Sequence, residues 1–213
     1  MRYAMKYLLF ACLLLFSSLY SQSAQDELVN VKEFIHDIVL DLKYNTEDNF
    51  LDQKCYTTDE CYVSRNLLER LILIQDSLRN ITFHDGYSYP QGLGLKIWDG
   101  YRPRAVQFLM WEILPDPTFV ANPVSGSRHN RGEAVDVTLV DRATGAELQM
   151  PTYFDDFTPA AAHGYMNLPA NVIANRELLK NMMTLVGGLA LYSNEWWHYN
   201  TVIGYPLLDF QLK

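Results

Sequence analysis

Residues able to bind a metal ion and activate water are concentrated in two short segments of this chain. Residues 127–136 read Ser-Arg-His-Asn-Arg-Gly-Glu-Ala-Val-Asp, and residues 195–198 read Glu-Trp-Trp-His. Two imidazoles, of His129 and His198, and the Asp136 carboxylate make a three-ligand set for zinc that leaves a fourth position for water. Catalytic zinc sites need that open position, whereas structural sites fill it with a protein ligand. The two segments therefore predict a catalytic centre with one Zn²⁺ per chain.

The two ligands in the first segment must be brought together by a turn. His129 and Asp136 are seven positions apart, which is too far for neighbours on one strand or within one helical turn. Gly132 lies between them and tolerates the backbone angles of a tight turn. We therefore expect the chain to fold back at Gly132. Taken singly, either side chain is more often structural, and the joint pattern carries the hypothesis.

A carboxylate lies close in sequence to the second histidine. Glu195 precedes His198 by three positions, so it can approach the water without being a ligand itself. Zinc lowers the pKa of bound water to about 7, and a nearby carboxylate can take the proton and pass it to a leaving amine. Trp196 and Trp197 would keep such a site partly dry and so strengthen its electrostatic contacts. Glu195 is the predicted general base.

Hydrophobic periodicity predicts the helices that surround these segments. Apolar residues at helical spacing predict an amphipathic helix over 63–78. A second helix is predicted over 104–113, because Pro103 is suited to a helix start. A third is predicted over 176–186, ending at the glycine pair 187–188.

Alternating patterns predict the strands. They cover 94–100 and 134–140, and 189–192 with 196–199 is expected to be a strand pair or a strand and turn. In the second of these, Val135, Val137 and Leu139 are expected to face the core. Helices and strands mixed without a βαβ rhythm indicate an α+β fold. We expect one compact domain, with a central, mainly antiparallel sheet flanked by helices and the zinc site at the sheet.

The composition is that of an ordinary globular protein. The chain has 213 residues, of which 49% are hydrophobic and 20% charged, and this excludes disordered, collagen-like and multi-pass membrane classes. The formal net charge of −8 argues against a nucleic-acid partner, because such partners are held by Lys and Arg on phosphates. A small cationic or zwitterionic ligand is the expected partner.

The N-terminus has the pattern of an export signal. Arg2 and Lys6 precede an apolar run over 8–19, and small residues follow at 21–24. The run is about a dozen residues long, whereas a membrane-spanning helix needs roughly 20. Two alternatives stay open: a retained membrane anchor, and lipoprotein processing at Cys12.

Export sets expectations for domains, location and cysteines. We predict a signal peptide over 1–24 and a mature domain over 25–213, which is periplasmic and not stably inserted in the membrane. Cys55 and Cys61 bound a five-residue loop, so an oxidising compartment favours a disulfide between them. A metal site built on the two thiolates is the alternative, although no second Cys or His pair lies nearby in sequence.

Further motifs accompany the two metal-binding segments. Residues 98–103 read Trp-Asp-Gly-Tyr-Arg-Pro, Phe154-Asp155 lies in a connecting loop, and 195–199 read Glu-Trp-Trp-His-Tyr. With the spacing Ser-x-His-x-x-Gly-x-Ala-x-Asp over 127–136, this set resembles the zinc D-alanyl-D-alanine peptidases, and among them the D-Ala-D-Ala dipeptidases of the vancomycin-resistance type. The resemblance extends over about 39–199, which is nearly all of the predicted mature chain.

The resemblance implies a role for each matching residue. It makes Glu195 the catalytic base, Arg102 the arginine that stabilises the oxyanion, Ser127 a residue that helps to hold the substrate, and Asp155 a partner for the substrate's ammonium. The ligands it implies are His129, Asp136 and His198. From spacing alone, a surface salt bridge for Arg102 and a solvated acid for Asp155 are the alternatives.

The implied activity is zinc-dependent hydrolysis of the D-alanyl-D-alanine dipeptide. Resistance enzymes of this type act in the cytoplasm, whereas this chain carries an export signal, so peptidoglycan turnover or D-alanine salvage is the expected role. A periplasmic zinc D,D-carboxypeptidase acting on longer stem peptides is one alternative. A noncatalytic, zinc-stabilised wall-binding module is the other, although it would need neither Glu195 nor Arg102.

Overall fold

A five-stranded sheet lies at the centre of this computed structural model, which describes residues 28–212. Within that range the strands are β1 (Leu28–Asn30), β2 (Val39–Leu40), β3 (Tyr62–Ser64), β4 (Phe83–His84), β5 (Tyr87–Ser88), β6 (Leu93–Asp99), β7 (Ala134–Asp141), β8 (Ala190–Tyr192) and β9 (Glu195–Asn200). The central sheet has the order β2-β6-β7-β9-β8, and all its pairs are antiparallel except β2 with β6. The small pairs β1-β3 and β4-β5 lie outside it. The predicted α+β fold with a mainly antiparallel sheet is confirmed.

Three α-helices accompany the sheet in the described chain. They are α1 (Arg65–Arg79), α2 (Arg104–Ile113) and α3 (Ala170–Asn181). The Ser64 hydroxyl caps α1 by accepting a hydrogen bond from the amide of Leu67 at 3.4 Å. The third helix begins six residues before its predicted start, at the entry set by Pro169. Its buried face includes the polar residues Asn175 and Arg176, so the apolar period does not show in the sequence. A π-helical turn over Met182–Val186 continues it to Gly187.

The hydrophobic core includes α1 and the middle of the sheet. Side chains from both elements are fully buried in it, including Leu67, Leu71, Ile74, Val135, Val137 and Leu139. Burying such a side chain contributes about 1.5–3 kcal/mol. The predicted core face of β7 is therefore confirmed. The opposite face, which carries Asp136, is buried as well. Asp136 lines the cavity described below.

The two cysteines of the predicted disulfide are free thiols, so that prediction is wrong. Cys61 is buried in the core and lies against Gly100, where an added Cβ would sit 2.6 Å from its sulfur. Cys55 is only partly buried, and its thiol points to the carbonyl of Gln53 at 3.7 Å. Burial raises the pKa of Cys55 to about 11. Each thiol therefore packs in its own surroundings, and neither joins the metal-binding group described below.

Two predictions concern the N-terminal segment and membrane insertion. The predicted signal peptide over 1–24 and the alternative at Cys12 lie outside the described residues. Between residues 28 and 212, no helix combines the length and the apolar character that crossing a membrane requires.

His163 is a buried histidine away from the cavity. Its ring packs edge-on against Tyr199, with centroids 5.8 Å apart, and neither ring nitrogen has a hydrogen-bond partner among the described residues. Burial and the nearby cations Arg176 and Lys180 lower the pKa of His163 to about 4, although Glu177 acts in the opposite direction. His163 is absent from the cavity lining, so its role is structural.

This histidine is expected to make the protein less stable in mild acid. The unfolded chain binds a proton at about pH 6.5 and the folded chain only at about pH 4, so stability falls as the pH drops through that window. We expect His163→Leu to reduce the loss of unfolding free energy between pH 7 and pH 4.5 by about 1–2 kcal/mol, allowing for solvent screening. Urea denaturation at both pH values measures it. The matched change at exposed His36, to Leu, should leave the loss as in the wild type; an unaltered loss in His163→Leu would contradict the assignment.

Candidate active site

The first segment of the site is a tight turn before β7. The hydroxyl of Ser127 accepts a hydrogen bond from the amide of His129 at 3.0 Å, and its own amide donates to the side chain of Asn130 at 2.8 Å. The turn ends at Gly132, whose φ of 65° lies in the left-handed region. An added Cβ there would lie 2.5 Å from the Leu28 side chain. The left-handed φ favours glycine at this position, and the predicted turn at Gly132 is confirmed.

Strand pairing brings the second and third candidate ligands together. Asp136 on β7 and His198 on β9 are direct partners in the antiparallel register, so their side chains lie side by side. The Nδ1 atom of His198 lies 3.0 Å from Asp136 Oδ1. His129 reaches the same point from the turn, with its Nε2 3.4 Å from Asp136 Oδ2 and 3.2 Å from His198 Nδ1. Ligand atoms of all three residues, which we name the His-Asp-His cluster, lie within 4.8 Å of one another.

The donor chemistry of the His-Asp-His cluster fits a metal ion. Nδ1 of His129 lies 2.7 Å from the carbonyl of Gly100, which can only accept, so this nitrogen carries the proton. Nε2 is then left with a lone pair that faces the other two ligands. Burial opposes ionisation of Asp136, but the two histidines hold the pKa of its carboxyl well below its usual range. Two nitrogen donors and a carboxylate converging on one point suit a divalent cation such as zinc.

Arg102 is buried beside the cluster and held by three side chains. Its Nε and Nη2 donate to Asp99 Oδ2 at 2.9 and 2.6 Å, and Nη1 donates to Gln107 Oε1 at 3.3 Å and to Met110 Sδ at 3.0 Å. The other oxygen of Asp99 accepts from Tyr56 at 2.8 Å. The surface salt bridge considered for Arg102 is therefore wrong. Sequence reasoning gave no role to Asp99 or Gln107, although the spacing Asp-x-x-Arg was a signal that Asp99 could pair with Arg102.

Asp155 occupies a strained position in the cavity wall. Its φ of 56° is in the left-handed region, which is costly for a residue other than glycine and is often found at functional sites. Tyr44 donates to its Oδ2 at 3.0 Å, and the amide of Phe50 lies 3.5 Å from the same oxygen. Burial raises the pKa of Asp155 to about 7, against the lowering effect of Arg102. Tyr44 was not predicted as a site residue, although it lies in the segment over which the resemblance runs.

Glu195 faces the cluster because the sheet is irregular at its position. Residues three apart on a regular strand point to opposite faces, but the β8-β9 register shifts between Leu191 and Tyr192. Glu195 Oε2 lies 4.0 Å from His198 Nδ1, and the side chain is buried. Burial, with Asp136 nearby, raises the pKa of this carboxyl well above its usual value. The structure thus places a carboxylate beside the cluster and outside it.

One cavity of about 560 Å³ contains all seven predicted site residues, Arg102, Ser127, His129, Asp136, Asp155, Glu195 and His198. Trp197 also lines it, whereas Trp196 packs behind it, with its Nε1 donating to the hydroxyl of Thr152 at 3.0 Å. Only one of the two tryptophans predicted to keep the site dry therefore contacts it. The cavity has the parts needed to polarise a carbonyl, take a proton from water and hold a charged substrate.

An α+β domain that carries these groups in one cavity has the parts of a metallopeptidase. The family model described as D-ala-D-ala dipeptidase (Peptidase M15) matches residues 24–207, and this chain belongs to that family of metallopeptidases. It is 33% identical over 189 residues to the D-alanyl-D-alanine dipeptidase of Escherichia coli (strain K12), covering 88% of this chain and 92% of that protein. Two other proteins of that name are similar. The one from Streptomyces coelicolor is 32% identical over 192 residues (79% and 88%), and the one from Enterococcus faecium 30% over 187 (78% and 87%).

Proposed function

We propose that this metallopeptidase hydrolyses the D-alanyl-D-alanine dipeptide to two D-alanines, with one Zn²⁺ held by the His-Asp-His cluster. The observation that carries the proposal is the meeting of that cluster with Glu195, Arg102 and Asp155 in a single cavity. The names of the similar proteins supply the substrate. Two imidazoles and one carboxylate are a donor set of catalytic zinc sites.

The chain's own groups divide the work around the scissile bond. Zinc, when bound, supplies a Lewis acid that polarises a carbonyl and lowers the pKa of water to about 7. Glu195 accepts a proton from the attacking water and returns it to the amine of the departing D-alanine. Arg102, which Asp99 holds in place, donates a hydrogen bond from Nη2 to the oxygen that becomes negative as the carbonyl is attacked. No covalent bond to the enzyme forms.

Selection for a dipeptide is proposed to depend on the carboxylate of Asp155. A free dipeptide has an ammonium one residue from the scissile bond, whereas a longer stem peptide has an amide there. Asp155 lies in the lining with Tyr44, and an ionised carboxylate there attracts the ammonium. Ser127 is proposed to help hold the substrate, since it lies in the same lining beside His129.

Asp155→Asn is expected to raise KM for D-Ala-D-Ala at least about tenfold, because an amide cannot pair with the ammonium. N-acetyl-D-Ala-D-Ala, which has no ammonium, should not lose any rate. Steady-state kinetics on both substrates measure the difference. Asp156→Asn is the matched control, because Asp156 lies next in sequence but outside this cavity. An unchanged KM in Asp155→Asn would contradict its role.

The proposed location and physiological role follow from the N-terminal segment. We propose that residues 1–24 are removed as a signal peptide and that 25–213 act in the periplasm on dipeptide released by peptidoglycan turnover. D-alanine is then recovered for use by the cell. Detection of the mature protein in a periplasmic fraction, with a new N-terminus near residue 25, would test this address.

Metal analysis joined to a substrate comparison tests the activity. We expect the purified mature protein to contain about one zinc per chain and to release D-alanine from D-Ala-D-Ala but not from L-Ala-L-Ala. Removing the metal with a chelator should abolish release, and adding Zn²⁺ should restore it. Faster release from an acyl-D-Ala-D-Ala peptide than from the dipeptide would indicate a carboxypeptidase instead. Protein that holds no zinc and releases no D-alanine would overturn the proposal.

A further inference from the structure

Within the described chain, the cavity lining contains three arginines, which are Arg102, Arg128 and Arg131. Arg102 has protein partners on Nε, Nη1 and Nη2, and the N–H that remains on Nη2 is assigned to the oxyanion. Arg131 is engaged as well, since its Nη1 donates to the carbonyl of Tyr205 and its Nη2 to that of Ser125 at 3.0 Å. Both guanidinium groups therefore have structural partners on each amino group. Arg128 differs from them.

Arg128 keeps most of its donors free of protein partners in residues 28–212. Its Nη1 donates to Glu133 Oε2 at 2.7 Å, and Nε and Nη2 have no partner there. The Arg128 side chain is 39% exposed, whereas that of Glu133 is fully buried. Glu133 Oε1 also accepts from the amides of Gly204 and Tyr205, at 2.5 and 3.1 Å. One amino group of the guanidinium is thus anchored to a fixed carboxylate, and its remaining N–H donors are available at the cavity wall.

The proposed substrate has a charge that the proposed mechanism leaves without a partner. A free dipeptide ends in an ammonium and a carboxylate, and Asp155 is assigned to the first only. A carboxylate is best matched by the planar fork of an arginine, which can offer two parallel hydrogen bonds. Among the cavity-lining arginines of the described chain, Arg128 alone has both Nε and Nη2 free of protein partners, and these two atoms form one edge of the guanidinium fork. It also follows Ser127, the residue assigned to substrate binding.

We propose that Arg128 binds the C-terminal carboxylate of the substrate, held in position by Glu133, and makes the enzyme selective for peptides with a free C-terminus. This inference rests on the proposed dipeptidase function. The anchored guanidinium loses little conformational freedom when the substrate arrives, which favours binding. Because Glu133 is also bonded to two backbone amides, its charge is shared with groups other than Arg128.

The test compares D-Ala-D-Ala with D-Ala-D-alaninamide, which lacks the carboxylate, in each variant. We expect the wild type to prefer the free acid, and Arg128→Gln to reduce the acid-to-amide ratio of kcat/KM about tenfold or more, mainly through KM for the acid. Arg128→Lys should give an intermediate ratio, since it keeps the charge but not the fork. Lys54→Gln removes one positive charge from an exposed position outside the cavity, and should leave the ratio as in the wild type.

The ratio is measured within one preparation, so partial unfolding of a variant cancels from it. A wild type without preference for the acid, or an unchanged ratio in Arg128→Gln, would overturn the inference while the dipeptidase function stands. A wild type that cleaves neither compound would overturn the proposed function, and with it this inference.

Discussion

Glu195→Gln is expected to hydrolyse D-Ala-D-Ala about 10²- to 10⁴-fold more slowly than the wild type, with its zinc content unchanged. The amide has the shape of the carboxylate but cannot accept a proton from water. The metal is expected to stay, because Glu195 Oε2 lies 4.0 Å from His198 Nδ1 and outside the His-Asp-His cluster. D-alanine release and metal analysis on the same sample measure the two effects separately.

The matched control is Glu112→Gln, which makes the same change on an exposed part of α2. It should keep the turnover and the zinc of the wild type. If Glu195→Gln kept more than a tenth of the wild-type kcat at full zinc content, Glu195 would not be the base. A Glu195→Gln protein that lost its zinc would instead show that this carboxylate helps to hold the metal.

Arg102→Gln is expected to lose both turnover and stability. Removing a donor to a developing oxyanion lowers kcat by a factor of about 10² to 10³. The same change removes the two hydrogen bonds that Arg102 donates to Asp99, a carboxylate that is fully buried. Breaking a buried ion pair by removing one partner costs about 3–5 kcal/mol. Urea unfolding and kinetics at a temperature where the variant is folded measure the two losses.

Arg102→Lys separates the two roles of this residue. It keeps a charge near Asp99 and should regain part of the stability, but a lysine cannot bond Asp99 and present donors to the substrate from one rigid plane. We therefore expect low kcat in a folded Arg102→Lys protein. Near wild-type kcat in that variant would limit Arg102 to a structural role.

Much of the fold was predictable because its signals are local. The bounds of α2 agree with the predicted range of 104–113, since Pro103 marks its start. Near the C-terminus a strand pair was one of the two predicted arrangements, because short apolar runs lie on both sides of a turn, and the structure has the strand pair. The start of α3 was missed because the first turns of that helix have little apolar periodicity.

The disulfide prediction shows where local reasoning fails. Sequence spacing measures the loop between Cys55 and Cys61 but not the direction of the two thiols. Those directions are set by packing, in which Cys61 lies against Gly100 in the core and Cys55 lies nearer the surface. Tyr44 was missed as a partner of Asp155 for the same reason, because the two residues are far apart in sequence.

The sequence by itself determined the kind of chemistry, because His129, Asp136, Glu195 and His198 occur at a spacing that suits a metal and a base. Their roles stay predictions, although the structure does bring all four side chains together. Tertiary structure alone decided how these side chains come together. Strand pairing places Asp136 beside His198, and the irregular β8-β9 register turns Glu195 towards them. Distances between residues far apart in sequence depend on packing and register, which no short motif encodes.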